Sequence, residues 1–115
     1  MRVDDSDIDW RDSGDTAFHA GVPFTGDVVE TTANGTVVSL TSFVDGAQSG
    51  LARIRYPDGV LREEWRVENG HAVGPSRTWH NNGILAEEQD YDGQGRMVAH
   101  RRWDESGNVV EYVTY

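Results

Sequence analysis

The sequence predicts an all-β protein: an elongated, single-layer antiparallel meander of four β-hairpin repeats, each about 24 residues long. Three observations lead there. Turn dipeptides recur at a fixed interval: Asn34-Gly35, Asp58-Gly59, Asn82-Gly83 and Ser106-Gly107 place glycines at 35, 59, 83 and 107, so each step is 24. Two further glycine columns keep that step, one at Gly26, Gly50 and Gly74 and the other at Gly46 and Gly70. The stretches after the turns, "TVVSLTSFV", "VLREEWRVE", "ILAEEQDYD" and "NVVEYVTY", are rich in β-branched and aromatic residues and too short for a stable helix.

Within each unit the elements follow from position. Counted from the turn glycine, the second residue is Val37, Leu61, Leu85 or Val109, and the eighth is Phe43, Val67, Tyr91 or Tyr115. Equal parity puts both on one side of a strand. Asn-Gly and Asp-Gly favour the positive φ angles of a type I′ turn, so each is expected to close a two-residue hairpin. A Gly-x-x-x-Gly stretch then leads to the next unit. The units are expected at about 26–49, 50–73, 74–97 and 98–115, inside a repeat domain spanning 17–115. The last unit departs from the pattern, with Gly93 and Gly95 around the expected position 94 and Val98 where glycine is expected. Terminal repeats are commonly atypical.

A lone hairpin is marginal in water, so stacked neighbours must supply the buried surface. Trp65, Trp79 and Trp103 are the largest apolar groups of the repeats, and Trp79 and Trp103 stand one repeat apart. They are expected to stack along one side of the array. Full burial of such a side chain contributes about 1.5–3 kcal/mol.

Charge narrows the function. Twenty acidic residues against ten basic ones give a net charge of -10, and every basic residue is arginine. A nucleic-acid backbone or an anionic lipid surface is repelled by such a chain, whereas a basic protein partner is attracted. Residues 1–16 hold Asp4, Asp5, Asp7, Asp9, Asp12 and Asp15 against Arg2 and Arg11, and are expected to be a solvated, frayed acidic segment. No apolar run is long enough to cross a membrane, and "MRVDDSDIDW" lacks the apolar stretch of a secretory signal. With no cysteine in the chain, a cytoplasmic location is the expectation.

The adjacent acids Glu63 and Glu64 raise the question of hydrolysis. They recur one repeat later as Glu87 and Glu88, and Glu111 continues the first column. Neighbours in a strand point to opposite faces, so Glu63 and Glu64 do not converge on one substrate atom. Equivalent strands of successive hairpins lie roughly 9–10 Å apart, at or beyond the wide end of glycosidase carboxylate spacing. Arg53, Arg77 and Arg101 form a matching column. A two-residue turn places Arg53 opposite Glu64 and Arg77 opposite Glu88, but Arg101 opposite Tyr112, where the pairing lapses. Such cross-strand pairs contribute about 0.2–1 kcal/mol each and help set register.

Other chemistry is absent from the pattern. His19, His71, His80 and His100 stand at no short metal-ligand spacing and are expected to be surface or turn residues. No nucleophile elbow and no phosphate-binding loop occurs. The chain is therefore expected not to be an enzyme, with no cofactor and no metal.

The frame Gly-x8-Gly, with "YPDG" or "HNNG" before the second glycine and x-Leu-x-Glu-Glu after it, resembles the variant membrane-occupation-and-recognition-nexus (MORN) repeat. The entry stretch "AFHAGVPFTGDVVETTANG" (17–35) is similar to the opening of bacterial proteins of that group, and the resemblance extends over about 17–111. It implies an elongated antiparallel sheet and a non-catalytic interaction role, and such bacterial proteins often carry an antitoxin or immunity label. The expected function is an acidic immunity or antitoxin protein that neutralises a basic toxin domain such as a nuclease. A scaffold or membrane-peripheral repeat protein is the alternative. The expected partner surface comprises Asp4, Asp5, Asp7, Asp9 and Trp10, with a sheet face offering Trp65, Trp79 and Trp103.

Overall fold

The computed structural model describes every residue from Met1 to Tyr115. In chain order its strands are β1 (Arg2–Asp4), β2 (Asp9–Arg11), β3 (Thr16–His19), β4 (Val22–Pro23), β5 (Gly26–Thr31), β6 (Val37–Val44), β7 (Ala47–Arg55), β8 (Leu61–Glu68), β9 (His71–Trp79), β10 (Leu85–Tyr91), β11 (Met97–Trp103) and β12 (Val109–Thr114). A single 3-10 turn, Asp5–Asp7, is the only helical element. From β5 to β12 each strand pairs antiparallel with the next, which is the predicted meander. The molecule is elongated, 48 × 37 × 21 Å.

The turns differ from expectation. At the β7–β8 connection the Tyr56 N–H donates to Val60 O and the Gly59 N–H to Tyr56 O, both at 2.8 Å. Only Gly59 takes a positive φ there, +92°. This is a three-residue loop, a type I turn followed by a left-handed glycine, and not the two-residue type I′ turn. The same bonds recur at 32–36, 80–84 and 104–108. Such a loop alone displaces the pairing by one residue. A bulge cancels the displacement: Arg55 faces Leu61 but Ile54 faces Glu63, leaving Arg62 as the extra residue. Beyond it Arg53 faces Glu64, Arg77 faces Glu88 and Arg101 faces Tyr112, the register expected from the sequence.

Type I′ turns do occur, at the opposite ends of the strands. Asp45-Gly46 and Asn69-Gly70 take φ of +50° and +85°, and +52° and +83°. The second glycine of each Gly-x-x-x-Gly, Gly50 or Gly74, lies in a bulge of β7 or β9 instead of a linker. The last such connection, 92–96, is built as a three-residue loop, with Asp92 N–H donating to Arg96 O at 2.9 Å. That geometry needs its left-handed glycine at Gly95 and leaves Val98 as a single-residue bulge, so the departures in the fourth unit have a structural cause.

Residues 1–16 are folded and not frayed. β1 adds to the main sheet parallel to β5, and β2, β3 and β4 form a small second sheet. Between the sheets lies the principal core: Ile8, Ala17, Phe24, Val28 and Phe43, flanked by Val3 and Trp10. The Trp10 and Phe43 rings sit 5.5 Å apart. The small sheet also clasps the Asp45-Gly46 turn, since Gly46 N–H donates to Phe24 O at 2.8 Å and Gly46 O accepts from Ala17 N–H at 2.9 Å. A Cβ at Gly46 would lie 3.0 Å from Thr16 and 3.1 Å from Ala17 O. The N-terminal segment and the first hairpin therefore share one core, and the expected boundary at residue 16 falls inside β3.

Farther along, the array is a single layer held by its own ladders. Trp65, Trp79 and Trp103 are half-buried and do not form the expected stacked core. A hydrogen-bond ladder links the repeats instead. Tyr56 Oη donates to Trp79 O at 2.8 Å, and one repeat on His80 Nε2 lies 3.0 Å from Trp103 O. Asn82 Nδ2 donates to Glu105 O at 2.9 Å, so successive turns stack directly on one another.

Candidate functional site

Strand register assigns each side chain to one of two faces, because residues directly opposite in a ladder share a face and neighbours alternate. One row runs Leu40, Arg53, Glu64, Arg77, Glu88, Arg101, Tyr112. The alternate row runs Ile54, Glu63, Thr78, Glu87, Arg102, Glu111. Glu63 and Glu64 are thus on opposite faces, as the alternation requires.

The first row is self-neutralised. Arg53 Nε meets Glu64 Oε2 at 2.7 Å and Arg77 Nε meets Glu88 Oε2 at 2.8 Å. Across its own hairpin Arg101 faces Tyr112 as expected, its guanidinium 5.0 Å from the ring centroid, but its Nη1 reaches back to Glu88 Oε1 at 2.8 Å. One carboxylate therefore serves two arginines.

The second face leaves its acids more open. Glu63 is held only by its neighbour Arg62, at 3.3 Å, and Glu87 only by longer approaches from His100 and Arg102, at 3.6 and 3.8 Å. Glu63 and Glu87 straddle Thr78, so their strands are roughly 9–10 Å apart. A concavity of about 270 Å³ beside Trp65 is lined by Glu63, Glu64, Ser76, Arg77, Thr78, Glu87 and Gln89. Carboxylates beside an aromatic side chain can attract a guanidinium or ammonium, and Arg77 already lies among them.

The expected partner residues divide between the faces. Trp65 lies opposite Ala52 on the same face as Val28 and Phe43, the face that carries the N-terminal sheet. Trp79 and Trp103 share the parity of Arg77 and Arg101 and so lie on the arginine face. The three tryptophans do not form one surface. Trp10 is committed to the core against Phe43. Of the acids, Asp4 caps the 3-10 turn, accepting from the Ser6 N–H at 3.0 Å and its hydroxyl at 2.7 Å. These bonds, the hydroxyl's first, hold its carboxyl below the ordinary range. Asp9 pairs with Arg11 at 3.0 Å, Asp7 is exposed and Asp5 half-buried.

His100 was not singled out by its spacing, yet it sits in β11 between two carboxylates. Its Nδ1 is 3.2 Å from Glu111 and its Nε2 is buried without a hydrogen-bond partner. The glutamate column at 63, 87 and 111 is the sequence signal that could have found it. No group of three or more His, Asp or Glu is arranged to hold a metal ion, and no helix is long and apolar enough to cross a membrane.

Among known proteins, no curated sequence and no solved structure matches this chain. The profile of the MORN repeat variant matches residues 72–92, which cover β9 apart from His71, its turn and β10. Over that hairpin the chain is similar to a MORN repeat variant, and the likeness supports, for the array of which the hairpin is one unit, a MORN-repeat protein acting as a repeat-based binding or scaffold module.

Proposed function

We propose that the protein is a non-catalytic binding module for a basic protein partner, and that the concavity beside Trp65 receives an arginine or lysine side chain of that partner. The observation that carries this reading is that Glu63 and Glu87, which straddle Thr78 and line the concavity with Trp65, are held only by longer arginine and histidine contacts of 3.3–3.8 Å, where Glu64 and Glu88 meet their arginines at 2.7–2.8 Å. The net charge of -10 supports it by steering a basic partner into contact. The likeness to the MORN repeat variant supports a binding role for the array. Within that role the finer reading is an immunity or antitoxin protein, located in the cytoplasm, that occludes a basic toxin domain such as a nuclease. This reading rests on charge and on the resemblance of the repeat frame.

The test is co-purification with the product of an adjacent gene, followed by titration at low and high salt. Binding should weaken with salt, and E63Q with E87Q should weaken it by about tenfold or more, the loss of one or two charge-assisted contacts. Absence of a partner, or tight binding that ignores both salt and the two substitutions, would sink the proposal.

A further inference from the structure

The opposite face holds a second concavity, of about 280 Å³, near the N-terminal edge of the sheet. Arg2 from β1 and Arg53 and Arg55 from β7 converge on it over an apolar floor that includes Val38 and Leu40. No acidic residue lines it, although the chain holds twenty acids and ten arginines. In so acidic a chain an arginine is expected to find a carboxylate. Arg53 does, through its Nε to Glu64 at 2.7 Å. Arg55 instead donates to a backbone carbonyl, Gly59 O at 3.1 Å, and Arg2 has no ion-pair partner. Two of the three guanidiniums therefore keep donors for a ligand.

We propose that this concavity is a binding site for a small organic oxyanion, a phosphate ester or carboxylate carrying an apolar group. Arginine forks match such oxyanions with paired hydrogen bonds, and the floor of Val38 and Leu40 shelters the apolar part. The two guanidiniums without carboxylate partners, Arg2 and Arg55, raise the local potential against the repulsive charge of the whole molecule. The site depends on the fold of the N-terminus, because Arg2 reaches it only when β1 is paired with β5. It is independent of the Trp65 concavity, which lies on the other face.

The test uses phenyl phosphate as the probe, titrated into the full chain at low salt and followed by amide chemical shifts. Saturable shifts are expected at Val38, Ser39, Leu40 and Arg55. The double variant R2Q/R55Q should weaken binding by about tenfold or more, as expected from losing charged hydrogen bonds, while R62Q, on the bulge of β8, should leave it unchanged. A thermal melt like that of the wild type verifies that R2Q/R55Q is folded. Absence of saturable shifts at these residues, or equal binding by folded R2Q/R55Q, would overturn the assignment.

Discussion

Arg77 Nε donates to Glu88 Oε2 at 2.8 Å across the β9–β10 hairpin, and Arg53 repeats the contact with Glu64 one repeat earlier at 2.7 Å. The two pairs differ in two respects. Glu88 also takes Arg101 on its other oxygen, and its side chain is less exposed, 18% against 23% for Glu64. Repetition has thus produced a charge ladder across β7 to β11 that fixes which residue faces which.

The first prediction follows from that ladder. Glu88→Ala leaves two arginines without their carboxylate, so it should destabilise the fold more than Glu64→Ala. A double-mutant cycle on Arg77 and Glu88 should give a coupling of about 0.5–1 kcal/mol, since the pair is only part-buried. Denaturant unfolding at low and high salt reads both. Equal losses for the two alanine variants would mean that Arg101 contributes nothing through Glu88.

A second prediction concerns the core. Phe43 meets Trp10 and is 6% exposed. Phe43→Ala should cost about 3–5 kcal/mol, enough to unfold a marginal domain. Gly26→Ala acts on the same region by overpacking. Its Cβ would run into Met1 O and lie 2.9 Å from Phe24 Cζ, at a backbone φ of +145°. A loss of about 1–3 kcal/mol is expected, with β1 displaced from β5. Amide exchange should rise first in residues 2–4 and 27–29.

The third prediction is a pH dependence. Asp92 accepts from the backbone N–H groups of Arg96 and Gln94, in that order of effect, and Asp104 chiefly from the N–H of Asn108. These bonds hold both carboxyls below their ordinary value of 3.8. Because the folded values lie below the unfolded ones, the stabilisation is present above about pH 4 and is lost as pH falls through the folded values. Melting temperature should therefore drop on acidification below about pH 4. In D92A and D104A it should start lower and depend less on pH over that range. An acid profile unchanged by both substitutions would show that these caps do not couple folding to protonation.

The architecture was legible because a repeat averages over local ambiguity. A lone Asp-Gly is weak evidence for a turn, whereas glycines in step at 35, 59, 83 and 107 mark hairpin ends even when the turn type is misread. The misreading shows what sequence alone leaves undecided. Both hairpin forms accept Asx-Gly, and the three-residue loop was chosen with a compensating bulge at Arg62, a matter of ladder geometry beyond the dipeptide itself. The register survived because two one-residue displacements cancelled.

By itself, then, the sequence determined the strand order, the facing of Arg53 with Glu64 and of Arg77 with Glu88, and the acidic character of the surface. Only the tertiary structure decided that Trp10 packs against the core and that Arg2 meets Arg53 and Arg55. The physical reason is range. Alternation and repeat length act between neighbours in a ladder, but these outcomes depend on an N-terminal segment folding back across the first hairpin.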